Sequence, residues 1–248
     1  MIPKMTRCSP EIPNIVYQVY RALFSVSIAL VIWIPAKPVW AASAEITPRG
    51  ANAYQMVTGV DSEEDRNQWD AKFNTASYVY GTEPAGFVRD NVHVFKLGKA
   101  LDIAMSEGRN AVFLAKKGFN VDGVDYSEVA IRKAKRLARN NHVTINAINA
   151  DLSHYKIKPE SYELIVNIQF LLRSLVPQIK SGLKHGGMVV FENYTVDQLQ
   201  NPDGQGIRRD YLLGKGELRE LFKDFEILVY RETNDGNDAV ASLIARKP

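Results

Sequence analysis

From Ala100 onward, short apolar runs alternate with helix-length amphipathic segments, and no other feature limits the fold as much. The strand-like runs are 100–103, 120–124, 144–148, 164–168, 188–192, 225–230 and 239–245. The helix-like segments are 110–117, 128–140, 171–184 and 215–222. The early runs are apolar on both faces and separated by helices, which predicts a parallel sheet covered on both sides. The last two runs are joined by "RETNDGNDA", which leaves no room for a crossover helix, so they pair antiparallel. The expected fold is therefore α/β: a doubly wound, Rossmann-like sheet of seven strands whose last strand is antiparallel.

Two helices are expected before this alternation. "EEDRNQWDAKF" follows Asp61 or Ser62, either of which can cap it, and carries acids in its first turn. "PAGFVRDNVHVF" starts at Pro84, a residue suited to the first turn of a helix. On helix 128–140, Arg132, Lys133, Lys135, Arg136 and Arg139 are expected on a solvated face, with Ala130, Ala134, Leu137 and Ala138 buried.

Residues 1–44 have the layout of an export signal. Bases precede an apolar run from Ala22 to Ile34, Pro35 ends it, and Ala42-Ser43-Ala44 supplies small residues for a signal peptidase. The run is shorter than the roughly 20 residues that span a bilayer, which favours cleavage over anchoring, and an uncleaved leader would touch the membrane. A polar linker covers 45–60, and a catalytic domain is expected over 61–248. Lys4, Arg7, Arg21 and Lys37 against Glu11 alone account for the formal charge of +3, so the rest of the chain is neutral. That balance removes the electrostatic case for nucleic-acid binding. Cys8 is the sole cysteine, and His93, His142, His154 and His185 do not stand at metal-ligand spacing, so no metal site is expected.

Three aspartates fall where doubly wound folds bind ligands, at the carboxyl ends of strands. Asp102 ends the first strand, Asp125 the second, and Asp151 follows the third. An acid after the second strand suits a ribose diol, and one after the third an exocyclic adenine amine. An acid at Asp102 would repel a pyrophosphate and suits an ammonium group. Adenine, ribose and an amino acid together describe S-adenosylmethionine. A nicotinamide-dependent oxidoreductase would instead carry Gly-x-Gly-x-x-Gly with no acid in front, a fingerprint this chain lacks.

The chain from about Trp69 to Pro248 resembles the class I S-adenosylmethionine-dependent methyltransferases, and within them the tellurite-resistance-type branch. The resemblance rests on "WDAKF", "YGTEPAGF", "LDIAMSEGRNAVFLAKKGFNVDGVDYS", "ADL" at 150–152 and "GGMVVFENYT". It implies a strand order of 3-2-1-4-5-7-6. It also implies that the cofactor contacts Asp102, Ala104, Ser106, Gly108, Asn110, Asp125, Tyr126, Asp151, Leu152 and Asn167. The family loop reads Asp/Glu-x-Gly-x-Gly-x-Gly, whereas here Ala104 and Ser106 replace the first two glycines. Ala104 is a mild change at negative φ; at Ser106 a Cβ intrudes on the cofactor or requires φ > 0. These substitutions, with an export signal on a chain whose cofactor is made inside cells, leave a second reading open: a non-catalytic binding or scaffold protein on the same fold.

Methyl transfer from a sulfonium is an in-line displacement, so the protein chiefly aligns the partners and excludes water. The acceptor is expected to be a small molecule or a lipid headgroup. Its candidate contacts are Tyr80, Gln169, Arg173, Arg208 and Arg209, with Tyr194 or Glu192 as the base if one is needed. Cell fractionation with N-terminal sequencing tests the leader. The expected product starts at Glu45 outside the cytoplasm; a cytosolic product starting at Met56 would overturn export.

Overall fold

The computed structural model describes residues 63–248. The leader, the linker and the Asp61 or Ser62 cap lie outside the described residues. Seven strands form one sheet: β1 (Lys99–Ile103), β2 (Asn120–Asp125), β3 (Asn146–Asn149), β4 (Tyr162–Ile168), β5 (Leu183–Tyr194), β6 (Glu226–Asn234) and β7 (Ala239–Arg246). Their order is β3-β2-β1-β4-β5-β7-β6, as the resemblance implied. The first five run parallel, and β7 lies antiparallel between β5 and β6.

Apolar residues on both faces of each central strand create two cores. On one face Leu101, Ile103, Ile165, Val189 and Phe191 pack with α5 (Val176–Gly182) and α6 (Glu217–Leu221), through Ile179 and Leu218. On the other, Ala100, Val121, Leu164 and Val166 pack with α2 (Gly86–Asn91), α3 (Arg109–Lys116) and α4 (Glu128–Asn140). Phe87, Leu114 and Ile131 carry those contacts. With this architecture the carboxyl ends of β1, β2, β3 and β4 open on one edge of the sheet, where α1 (Glu63–Phe73) also lies.

Four expectations need correction. The helix expected over 171–184 is a 3-10 turn, Arg173–Leu175, followed by the short α5. Leu172 is extended, and Pro177 sits in the first turn of α5, so the helix starts late. Strand β5 also begins earlier than residue 188. Its start is irregular against Tyr162, and only a glycine fits at Gly187, where a Cβ would lie 2.9 Å from the Lys184 carbonyl oxygen and 3.0 Å from that of Tyr162. The helix expected from Pro84 divides into α2 and a 3-10 turn, Val92–Val94. Lys133, finally, is not solvated: it is buried on the inner face of α4.

Gly108 joins the loop after β1 to α3 with φ +87°, and a Cβ there would stand 2.7 Å from the Cβ of Ala134 on α4. Both the left-handed backbone and the close approach call for glycine. Gly108→Ala is expected to lower stability by about 2 kcal/mol. Urea unfolding checks this as a fall in midpoint with unchanged slope.

Candidate active site

The site is built on the loop between β1 and α3. Ala104 has φ +50°, Ser106 φ +55° and Gly108 φ +87°, so three of five consecutive residues are left-handed. Ala104 is thus not at negative φ, and both substituted positions keep the conformation that glycine favours, at a cost of roughly 1 kcal/mol each. Neighbouring contacts oppose that cost. Met105 N–H donates to the Val124 carbonyl at 3.0 Å, and the Met105 side chain fills the space over Gly123, where a Cβ would fall 2.1 Å from its sulfur. The Ser106 N–H donates to Asp125 Oδ2 at 2.9 Å, while Ser127 N–H donates to Oδ1 at 2.9 Å. Each Asp125 oxygen therefore keeps a second lone-pair direction for a ligand.

The loop faces a cavity. Its floor is Ala104, Ser106, Asp125 and Tyr126, and one wall is Ala150, Asp151, Leu152 and Ser153. Gln169, Phe170, Asn193 and Tyr211 form the opposite side. Asp65, Trp69 and Phe73 of α1, with Tyr80, close it from above. Trp69 and Phe73 are one helical turn apart and stack at 5.5 Å. We refer to 63–85 as the lid segment.

The lid is bound to the body through polar groups. Asp70 Oδ1 accepts from Ser127 Oγ at 2.5 Å and from Val129 N–H at 3.1 Å, at the start of α4. Lys133 Nζ donates to the carbonyls of Phe73, Thr75 and Ser77 at 3.0, 3.2 and 2.6 Å, and forms an ion pair with Glu107. Glu107 Oε2 in turn accepts from the N–H groups of Val79 at 2.7 Å and Tyr80 at 3.4 Å. The Lys133 and Glu107 side chains are only 7 % and 2 % exposed.

Ala104, Ser106, Asn110, Asp125, Tyr126, Asp151 and Leu152 all line the cavity, as do Tyr80 and Gln169. Asn110 also accepts the Ala85 N–H at 2.9 Å, and so anchors the end of the lid. Asp151 accepts from Ser153 N–H and Oγ at 2.9 and 2.8 Å. Asp102 does not reach the lining: it is 1 % exposed, with Oδ2 buried and without a hydrogen-bond partner. Asn167 also stands behind the lining, its amide donating to the Phe170 carbonyl at 2.7 Å. Gly108 supports the loop from below.

The acceptor candidates divide. Tyr194 lies just behind Gln169, whose Nε2 donates to its hydroxyl at 3.1 Å. Glu192 points elsewhere: its Oε2 accepts from Ser242 Oγ at 2.6 Å and lies 3.7 Å from Arg231, so sheet neighbours occupy the carboxylate. Arg173 is a structural clamp, donating to Glu217 at 2.5 and 2.9 Å and to the carbonyls of Asp210 and Leu212. Arg208 pairs with Asp210 at 3.1 Å, and Arg208 and Arg209 are both absent from the lining. Arg109, the cation in the lining, Glu107 and the Trp69–Phe73 face were not expected at the site, and Lys133 was expected on a solvated face. The spacing of Trp69 and Phe73 was a usable signal; the partner of Lys133 was not readable from spacing.

Burial pushes the Asp102 carboxyl up to about 7, against the Ala111 N–H and the Arg109 charge, which favour ionisation. Burial also pushes Asp125 up to about 6, against the N–H groups of Ser127 and Ser106. Among the described residues, no group of three His, Cys, Asp or Glu side chains is placed to hold a metal. The arrangement is an acidic floor under an aromatic roof, with buried polar atoms at Ser106 Oγ and Asp102 Oδ2 that have no protein partner. It suits a ligand that brings hydroxyl and amine donors together with a flat ring.

Comparison with known proteins agrees with this geometry. Residues 64–238 match the family described as tellurite resistance protein TehB. A Haemophilus influenzae protein named a probable S-adenosyl-L-methionine-dependent methyltransferase TehB is 27 % identical over 191 residues, 71 % of this chain and 64 % of that relative. The match thus spans under two thirds of that relative's length. The crystal structure of TehB from H. influenzae superposes with TM-score 0.58 at 23 % identity, covering 74 % of this chain and 67 % of that one. A methyltransferase structure from Methanosarcina mazei gives TM-score 0.53 at 20 % identity, over 66 % of this chain and 98 % of that one. At these identities the structures show the shared fold.

Because both carboxyls ionise above their unfolded range, their burial is harmless below about pH 4, costs stability progressively from there up to about 6 and 7, and its cost is constant above. Asp102→Asn is therefore expected to raise the ligand-free melting temperature by about 5 °C at pH 8. Calorimetry at pH 4 should find the two proteins equal, and a variant less stable at pH 8 would refute the assignment.

Proposed function

The chain belongs to the tellurite resistance protein TehB family, and from that we infer that it is an S-adenosylmethionine-dependent methyltransferase whose acceptor is a small molecule or a lipid headgroup. One observation carries the reading. The loop after β1 keeps its left-handed backbone at Ala104 and Ser106 without glycine, and it delivers the Ser106 N–H to Asp125 at the cavity floor. A chain released from binding a ligand there would have no reason to retain two strained residues.

The residues present fit this cofactor. Asp125 has lone pairs left for a ribose diol, Asp151 stands on the wall where an adenine amine would be received, and Trp69 and Phe73 offer flat apolar surface. The backbone of 104–108 faces the amino-acid portion, and the buried carboxyl of Asp102 behind it favours a nearby ammonium. When bound, S-adenosylmethionine supplies an electrophilic methyl group on a sulfonium.

The protein's own contribution is alignment and exclusion of water. The lid covers the cavity, Phe170 and Tyr211 narrow it, and Gln169 brings an amide to the lining, while the Asn193 amide donates to the Tyr211 carbonyl at 2.8 Å and holds that wall in place. Arg109 supplies positive charge for an acceptor with anionic character. Burial holds the Tyr80 hydroxyl far above its ordinary range, so Tyr80 stays neutral and orients rather than removes a proton. Where the acceptor arrives protonated, Tyr194, behind the lining and oriented by Gln169 at 3.1 Å, is the candidate to receive the proton.

S-adenosylhomocysteine at about 1 mM should raise the melting temperature by several degrees, as expected of a ligand well above its Kd. Asp125→Asn should weaken binding about tenfold or more. Affinity should fall as pH drops through about 6 and Asp125 takes up its proton. Absence of any thermal shift overturns the reading. Binding without transfer of labelled methyl to a panel of small acceptors and headgroups would favour the non-catalytic alternative, which the Ser106 side chain in the cavity lining motivates.

A further inference from the structure

We propose that Glu107 and Lys133 are positioning residues for the cofactor site: their buried ion pair holds the strained loop and the lid in register, supplying the constraint that a glycine-poor loop needs. The proposal rests on the methyltransferase reading for its ligand, and on geometry alone for its mechanics.

Glu107 stands between Ser106, at φ +55°, and Gly108, which is pressed against Ala134. Lys133 immediately precedes Ala134. Two adjacent loop residues therefore meet two adjacent residues of α4, one pair by close packing and the other by charge. The same two side chains then reach outward. Lys133 donates to three lid carbonyls, and Glu107 accepts two lid N–H groups. Five lid backbone groups converge on one ion pair that also grips the loop.

This arrangement has two energetic consequences. A buried pair stripped of one partner leaves an uncompensated charge, which is costly, so the pair tolerates little displacement. Left-handed Ala104 and Ser106 each relax readily to other conformations once released, because their conformation is unfavourable for a residue with a Cβ. The pair thus selects one loop state from several. Apparent ligand affinity scales with the population of that state. Glycine at position 104 would raise the same population by another route, and this sets up a diagnostic rescue.

The test uses the full chain and the double variant Glu107→Gln/Lys133→Met, which removes both charges and leaves neither buried alone. Peptide-resolved hydrogen exchange without ligand reads the lid; calorimetry with S-adenosylhomocysteine reads the site. We expect exchange at the Val79 and Tyr80 amides to rise about tenfold while the sheet amides stay protected. The Kd should weaken about tenfold in the variant, and Ala104→Gly should restore most of that loss there, a larger gain than it gives in the native background. Unchanged lid exchange, or a Kd within about twofold of native, overturns the proposal. Equal effects of Ala104→Gly in both backgrounds overturn it too, because they would separate the pair from the loop. If the double variant does not fold, Glu107→Gln alone takes its place, and the same exchange and rescue criteria decide. A native chain that binds no S-adenosylhomocysteine defeats the methyltransferase reading instead, and the exchange arm still decides the tether.

Discussion

Everything at the mouth of this sheet depends on how one carboxylate is held. Asp125 ends β2, and each of its two oxygens accepts from an opposite neighbour, the Ser106 N–H of the loop after β1 and the Ser127 N–H that opens α4, while keeping a lone pair for a ligand. Two turns that are separate in the chain are thereby fixed to each other. The group that accomplishes this is buried and resists ionising. Desolvation disfavours its charge while the two N–H groups restore part of it, an opposition common where a protein keeps a carboxylate ready for a ligand. Remove this node and the loop, the first turn of α4 and the lid residue Asp70 that caps it lose their common reference.

Much of the fold was legible because the relevant physics is local or periodic. A strand that is apolar on both faces belongs in the middle of a covered sheet, and a connection too short for a crossover must turn back. Asp125 and Asp151 were readable because their place at strand ends fixes their surroundings. What escaped was chemistry between residues far apart in sequence. Arg173 reads as a free cation beside a strand end until Glu217, 44 residues on, takes it. Lys133 reads as one of five bases on a solvated helix until Glu107 and the lid carbonyls enclose it. Helix 171–184 came out shorter for a different reason: an extended Leu172 and Pro177 in the first turn delay its start, so the helix covers only Val176–Gly182.

The loop shows that a glycine pattern and a glycine conformation are separable. Ala104 and Ser106 adopt the backbone that the pattern would confer, and packing of Met105 over Gly123 together with the hydrogen bond to Asp125 keeps them there. Function in such a fold resides in the site and not in the architecture. The shape of that site here is set by contacts that no short motif describes.

Gly108 stands apart from the other two positions. Ala104 and Ser106 suffer only a conformational penalty, which surrounding bonds can absorb. At Gly108 the obstacle is another body, the Cβ of Ala134, and no rearrangement confined to the loop removes it. The three loop positions therefore differ in how freely they can drift over evolutionary time. The first two can change singly, each step small. The third can change only together with a shrinking of residue 134 or a shift of the whole helix α4. A lineage on this scaffold would lose its glycines in that order, with Gly108 the last to go.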